Sequence, residues 1–399
     1  MKILGYERPD KKVGIRNYLL ILPVTRGSHM LAAKIAENVR YAKTFIAGDE
    51  DGRDSDDRMT MSRVFIGLGK NPNVGGVILV CNKKSAGYDE LLPTFIASEI
   101  SATGKDVQIL DVEEQGGIYK ALGEGIRKAR KMLLKISETP RTYVEFGKLT
   151  IGIKCGLSDA SSGISGNPTV GFLADELINQ GGTVLFSETT EVIGAEEILA
   201  NRCNNDEIKK AFLECVYRTE EEAKATGEDI RSINPIPANI DAGITTLEEK
   251  SLGAIAKAGH HSINGVLKYA QIPKEKGLYF MDSWMSSTSL FLGYAAAGAN
   301  LIIFQMGGGA LPKDPPMPAV STGIVVPVFY TTGNPRTYAK AQDEIDFNCG
   351  TVIDKGETIQ RAGKRLINEI RMIASGKLTK METWNYDDPA EIYLRGPKL

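Results

Sequence analysis

Short apolar runs alternate with stretches of helical periodicity along most of the chain. Tyr18 to Val24 reads as a strand, and Ser28-His29 opens a helix running to about Val39. A short strand is predicted near Thr44 to Ala47, then an acidic loop from Asp49 to Asp57 and a helix from about Met59 to Leu68. Val74 to Cys81 is apolar without alternation, as expected of a strand buried on both faces. A helix from about Tyr88 to Ala102, a strand Asp106 to Leu110 and a helix Gly117 to Ile136 complete the first series, and Ser137 to Arg141 is the linker candidate.

The second series begins with strands at Leu149 to Ile153 and Thr183 to Phe186 and a long helix from Asp206 to Ala225. A Pro/Gly/Asn-rich loop, Asn234 to Gly243, is longer than an ordinary connection. After it come strands at Leu278 to Met281, Asn300 to Phe304 and Gly323 to Tyr330, helices at Ser289 to Ala297 and Glu357 to Ala374, and a glycine loop, Gly307 to Gly309. Alternation of this kind predicts an α/β fold of two successive βα-rich regions, each with a mainly parallel sheet covered by helices. The boundaries expected are 1–140 for a Rossmann-like N-terminal domain and 141–399 for a C-terminal α/β domain that carries the chemistry.

Composition narrows the function classes. A net charge of −2 gives no electrostatic reason to expect nucleic acid or an anionic membrane. No run approaches the roughly 20 apolar residues of a membrane span, and the N-terminus lacks a signal-peptide apolar core, so a cytoplasmic location is expected. Five widely spaced cysteines without a C-x-x-C pair argue against a disulfide framework and a structural zinc site. Homo-oligomerisation is the ordinary expectation for such a chain.

Candidate chemistry concentrates where the strand ending at Ile153 runs into Lys154-Cys155-Gly156-Leu157-Ser158-Asp159-Ala160-Ser161-Ser162-Gly163. Asn167 offers an N-cap with Pro168 at the first helical position, so backbone N–H groups would face the same loop. The next strand ends in Ser187-Glu188-Thr189-Thr190-Glu191, and parallel neighbours bring such ends to one crevice. The alternative is that Gly, Ser and Asp here only make turns. In Thr245-Thr246-Leu247-Glu248-Glu249-Lys250, Thr246 and Glu249 have the spacing of a capping box, which leaves Thr245, Glu248 and Lys250 unexplained.

Together these motifs resemble the altronate/galactarate dehydratase family of sugar-acid hydro-lyases. The residues that carry the likeness are Gly5-Tyr6-x-Arg8-Pro9-Asp10 through Arg16-Asn17, Cys155-Gly156-x-Ser158-Asp159-x-x-Ser162-Gly163 with Asn167-Pro168, Ser187-Glu188-Thr189-x-Glu191, Gly243 to Gly253, and Thr332-Gly333-Asn334-Pro335 with Asp346. The resemblance implies dehydration of an aldonate or aldarate, such as altronate or galactarate, to a 2-keto-3-deoxy acid. It implies as well a small SAF-type domain, here expected as a partner subunit or lost. The similar (2R)-sulfolactate sulfo-lyase large subunit keeps a C–S leaving group open, and a non-catalytic sugar-acid-binding or partner subunit is the third alternative. Three segments depart from the family pattern. Asp49 to Arg53 stands where His-x-x-Gly-Cys is usual, Val80-Cys81-Asn82 where Gly-Cys-Glu is, and Gln305 to Ala310 where Thr-Thr-Gly-Arg-Gly-Thr is. The resemblance implies Fe²⁺ or Mn²⁺ dependence, but the usual His and Cys are replaced; Asp49, Asp51 and Cys81 are the remaining candidate ligands for a divalent cation, Mg²⁺ included, and the alternative is that the acidic loop is a solvated surface.

Dehydration of a hydroxy acid needs a base for the α-proton, charge stabilisation for the enediolate and an acid for the departing hydroxyl. Lys250 is the expected base if its surroundings lower its pKa, the alternative being a salt bridge to Glu248 or another carboxylate. Glu188 or Glu191 is the expected acid, or a helix-start carboxylate answering the dipole. His29, at a helix start after the first strand, is a further proton-transfer candidate. Cys155, Ser158, Asp159, Ser162, Asn167, Thr245, Thr246, Glu248 and Asn334 are the expected substrate-binding set.

Overall fold

The computed structural model describes residues 1–45, 53–85, 87–308, 323–384 and 390–396. Its strands in chain order begin with β1 (Lys2–Glu7), β2 (Val13–Gly14), β3 (Tyr18–Pro23), β4 (Ala42–Lys43), β5 (Val74–Cys81), β6 (Asp106–Asp111) and β7 (Thr142–Glu145). They continue with β8 (Thr150–Gly156), β9 (Thr183–Phe186), β10 (Ile263–Leu267), β11 (Gly277–Met281), β12 (Leu301–Met306), β13 (Val328–Thr332) and β14 (Phe347–Asn348). Two parallel sheets result, as the βα alternation requires. One has the order β4-β3-β5-β6 and the other β10-β11-β9-β8-β12-β13-β14. A third sheet, β2-β1-β7, is antiparallel and was not foreseen, because its strands are short and polar on one face. It ties the first residues of the chain to Thr142–Glu145, and Arg141 of the linker donates to the carbonyls of Leu4 and Ile15 at 2.8 and 3.0 Å.

The two parallel sheets share one core. Met61, Val64, Phe65 and Leu68 of the Ser55–Lys70 helix are buried with Leu290, Phe291 and Tyr294 of the Ser287–Ala296 helix. A Cβ on Gly67 would lie 2.3 Å from the carbonyl oxygen of Ala296, so the helices approach this closely only over a glycine. Beneath the larger sheet Phe186, Phe280 and Phe212 stack edge to face at 5.3 and 4.9 Å, contacts each worth about 0.5–1.5 kcal/mol beyond burial.

Several boundaries differ from expectation for local reasons. Asn167 does not cap its helix. The chain already coils through a π-turn at Ser162–Gly166 before Asn167–Asn179, which frees the Asn167 side chain to point elsewhere. The loop 234–243 is partly ordered as the Ile230–Ile233 and Pro237–Asp241 turns of helix. The strand expected from Gly323 begins only at Val328, since Gly323 to Val326 closes a turn and Pro327 has no N–H for the ladder. The strand expected near 44–47 is displaced to the two-residue β4 at Ala42–Lys43, Thr44 and Phe45 follow it outside any strand, and 46–47, with the acidic loop's 49–52, lie outside the described residues.

Candidate active site

In the larger sheet the chain enters at β8, builds β9, β11 and β10 on one side, and returns to build β12, β13 and β14 on the other. The carboxyl end of β8 is therefore where connections diverge, the place at which open α/β sheets take ligands. Five charged side chains are buried there. Lys154, from β8, donates to Glu188 Oε1 at 2.6 Å, and Lys257 donates to Glu188 Oε2 at 2.5 Å. Lys257 also lies 3.8 Å from Glu191 Oε2, and Lys250 lies 3.5 Å from Glu191 Oε1. None of the five side chains is more than 6% exposed. Three ammoniums against two carboxylates leave one formal positive charge in excess.

Charges this deep persist only when paired and hydrogen-bonded. Burial alone would raise the Glu188 carboxyl, but Lys154 and Lys257 outweigh it and hold the group below its usual range. Burial likewise works against the Lys257 ammonium, and Glu188 and Glu191 reverse the effect and push it above its usual value. Glu188 accepts in addition from the Cys155 N–H at 3.1 Å. Its backbone is left-handed, with φ at 78°, an uncommon conformation for a residue with a side chain and one that clusters at functional sites.

Neutral groups complete the cluster. Lys250 Nζ donates to Asn234 Oδ1 at 2.7 Å and reaches Asn239 Oδ1 at 3.4 Å, while Asn239 Nδ2 donates to the Ser158 carbonyl at 2.8 Å. Cys155 Sγ donates to Gln305 Oε1 at 3.4 Å, receives Asn167 Nδ2 at 3.4 Å and lies 3.5 Å from Ser158 Oγ. Burial, with Glu191 adding to it, pushes this thiol up and keeps it protonated. The Leu247–Ile255 helix seats against the π-turn because both surfaces are glycine: a Cβ on Gly163 would stand 3.0 Å from Gly253 Cα.

Of the residues expected from sequence, Cys155, Ser158, Asn167, Glu188, Glu191 and Lys250 are thus joined by direct contacts. Others go elsewhere. Asp159 is saturated by Ser161 Oγ, the Ser162 N–H and Asn334 Nδ2 at 2.5, 3.2 and 2.7 Å, and Ser162 Oγ accepts from the Asp159 N–H, so this group joins two loops. Asn334 also caps the Pro335–Lys340 helix. Thr246 caps the Leu247–Ile255 helix and Thr245 donates to Glu249 through both N–H and hydroxyl, so the cap absorbs both threonines. Glu248 turns outward to an exposed pair with Arg231 at 3.1 Å. These corrections have one reason: a helix start consumes the polar groups around it. His29 belongs to the smaller sheet, at the start of the His29–Glu37 helix after β3. The Arg8 and Arg16 motif is structural, since Arg8 donates to the Pro72 carbonyl and Arg16 pairs with Glu382 at 2.6 Å.

Lys154 and Lys257 were not singled out from sequence. A lysine inside the apolar run 149–155 already signals a buried charge that requires a partner. Lys250 and Lys257 are seven residues apart, two helical turns on one face.

Asp49 and Asp51 lie outside the described residues, and among the described residues no three His, Cys, Asp or Glu side chains gather as a donor set. Cys81 is buried, donates to the Leu110 carbonyl at 3.8 Å and is pushed by burial up to about 12. No step below is routed through a metal. A cavity of about 1010 Å³ opens elsewhere, among Tyr6, Arg16, Tyr18, Arg141, Val328 and Glu382, and its lining includes no member of the cluster. Two of its arginines, Arg16 and Arg141, are engaged by Glu382 and by backbone carbonyls. Among the described residues no helix is long and apolar enough to cross a membrane.

Comparison with known proteins bears on the family of the chain. Residues 146–395 match the family described as D-galactarate/altronate dehydratase, C-terminal, and residues 5–137 match D-galactarate dehydratase/altronate hydrolase, second domain. The chain is 33% identical over 389 residues to a (2R)-sulfolactate sulfo-lyase subunit beta of Chromohalobacter salexigens, an alignment covering 95% of this chain and 94% of that protein. It is 27% identical to an altronate dehydratase of Bacillus subtilis, covering 99% of this chain and 78% of the relative. With a galactarate dehydratase (L-threo-forming) of Escherichia coli it shares 30% identity, covering 84% of this chain and 63% of the relative.

Proposed function

The chain belongs to the D-galactarate/altronate dehydratase family, and from that premise we propose that it is a hydro-lyase converting an aldonate or aldarate to a 2-keto-3-deoxy acid. The observation that carries the reading is the buried Lys154–Glu188–Lys257–Glu191–Lys250 chain with its excess positive charge, which suits a carboxylate-bearing substrate and the dianionic enediolate formed from it. Glu191 takes the α-proton. Its Oε2 is buried without a hydrogen-bond partner, whereas both oxygens of Glu188 are held by ammoniums. The electron pair of the broken C–H bond enters the enediolate, where Lys257 meets the growing charge. Lys250, surrounded by acceptors only, gives a proton to the β-hydroxyl as the C–O bond breaks, and water leaves. The resulting enol becomes the keto acid. Relative to the roles expected from sequence, base and acid are exchanged, and Glu188 becomes an anchor.

A second reading has its own observation. The chain spans 94% of the sulfo-lyase subunit, against 78% of the altronate dehydratase, and the same machinery expels sulfite from a β-sulfonate after the same proton removal. By that likeness a small partner subunit of the SAF type is part of the proposal.

The test is a panel of aldonates, aldarates and 3-sulfolactate, run with and without Fe²⁺, Mn²⁺ or Mg²⁺ and a SAF-type partner, scored for keto acid and sulfite. Keto acid without sulfite supports the first reading and sulfite the second. Binding without product across the panel leaves a sugar-acid-binding subunit.

A further inference from the structure

Two buried amides beside the cluster are each half bonded. Asn167 Nδ2 donates to the Gly253 carbonyl at 2.8 Å and to Cys155 Sγ, while its Oδ1, shielded from solvent, meets no donor among the described residues. Asn234 Oδ1 accepts from Lys250 Nζ at 2.7 Å, while its Nδ2 meets no acceptor among the described residues. Neither amide can be reversed. A carbonyl only accepts and an ammonium only donates, so each bonded half is fixed and each unpartnered half with it. Asn167 is 0% and Asn234 3% exposed, and most buried polar atoms in proteins are partnered.

The two anchors share one helix face. Lys250 and Gly253 are three residues apart on Leu247–Ile255, so both amides are held by the same turn of that helix. One amide presents an acceptor and the other a donor, next to the base and acid assigned above.

We infer that Asn167 and Asn234 are specificity-determining residues: a substrate hydroxyl donates to Asn167 Oδ1, and a second substrate oxygen, a hydroxyl or a sulfonate further along the carbon chain, accepts from Asn234 Nδ2. The inference rests on the hydroxy-acid reading and adds to it which atoms are read. The carboxylate stays with the ammoniums, because its oxygens accept only and leave Asn167 unmet. A simple 2-hydroxy acid meets Asn167 alone, and an aldonate or 3-sulfolactate meets both.

The experiment measures dissociation constants by calorimetry for a set of six-carbon aldonate epimers, 3-sulfolactate and 2-hydroxyhexanoate. The wild type, Asn234→Ala and Asn167→Ala are compared, with the thermal midpoint confirming folding. In the wild type the best aldonate or 3-sulfolactate binds at least about 10-fold tighter than 2-hydroxyhexanoate. Asn234→Ala abolishes that preference and leaves 2-hydroxyhexanoate unchanged, while Asn167→Ala weakens every hydroxy acid. Whichever ligand loses affinity in Asn234→Ala tells whether hydroxyl or sulfonate is read. If either variant fails to fold, single-deoxy aldonates on the wild type carry the test, with a loss expected at two positions. Equal binding of 2-hydroxyhexanoate and the best ligand, or equal weakening of all ligands by Asn234→Ala, overturns the inference. Keto acid or sulfite release is scored in parallel: turnover without this pattern removes the inference alone, and the pattern without turnover removes the lyase reading alone.

Discussion

The two parallel sheets offer the same kind of crevice and fill it differently. In the smaller sheet the connections diverge between β3 and β5, and the loops there are closed by neutral hydrogen bonds. Asn82 donates its N–H to Thr25 Oγ1 at 3.0 Å and its amide to the Arg26 carbonyl, and Ser28 Oγ donates to the Thr25 carbonyl at 2.6 Å. The ions nearby, Lys83 with Glu113 and Lys84 with Glu114, are roughly half exposed. In the larger sheet every ion at the divergence point is buried. Water screens the first set, so it contributes little, whereas the second acts on one another and on a ligand at low dielectric. Topology supplies two crevices, and among the described residues a cluster of buried ion pairs stands at the larger sheet's.

Removing one ion from each crevice tests that contrast most strongly. Lys257→Met removes the excess positive charge, takes one of the two ammoniums from the buried Glu188 and leaves Glu191 with Lys250 alone, and urea unfolding is expected to show a loss of about 3–5 kcal/mol together with loss of turnover. Lys84→Met is expected to leave the urea midpoint essentially where it is in the wild type. Equal costs would erase the distinction.

Acid unfolding sharpens it further. The Glu188 carboxyl is held below its usual 4.5, so its pairing contributes fully above that pH and is lost as pH falls through the lower folded value. Lys257, raised above 10.5, contributes below that pH and fails only on the alkaline side. Stability of the wild type is therefore expected to drop on acidification below about pH 4.5, and Glu188→Gln to flatten that limb when the two are titrated side by side. An unchanged slope would mean that Glu188 is not charged in the folded chain.

Smaller effects are expected where the polar groups are structural. Thr246→Ala removes a helix cap and is expected to cost about 1 kcal/mol in thermal unfolding while kcat/KM is kept. A selective loss of activity would return Thr246 to the site. Least affected should be His29→Gln, in the smaller crevice, with turnover expected to stay near that of the wild type. A fall of about 100-fold would instead place general acid–base chemistry there.

Strand positions in the buried runs were legible because apolar continuity has few other causes: Val74–Cys81 was read to the residue. So was the Asp206–Ala225 helix, which the structure caps with Asn205. Motif reading located Cys155, Glu188, Glu191 and Lys250 but also gathered Thr245, Thr246, Glu248, Asp159 and Asn334. Short polar residues at helix starts and turns look the same in sequence whether they meet a ligand or their own backbone. Lys154 carries a mark of burial in the apolar run around it, whereas Lys257 went unassigned because nothing in its neighbouring sequence marks it as buried.

The order of apolar and polar positions determined that this chain builds two parallel sheets and places polar residues at their strand ends, since a strand buried on both faces tolerates polarity only where it leaves the sheet. Which of those polar residues keep their charge away from water was decided by the tertiary structure alone. The partners of Glu188 come from positions 34 residues before it and 69 after it, and only the packing of β8, β9 and the Leu247–Ile255 helix with the turn that extends it brings them within hydrogen-bond reach.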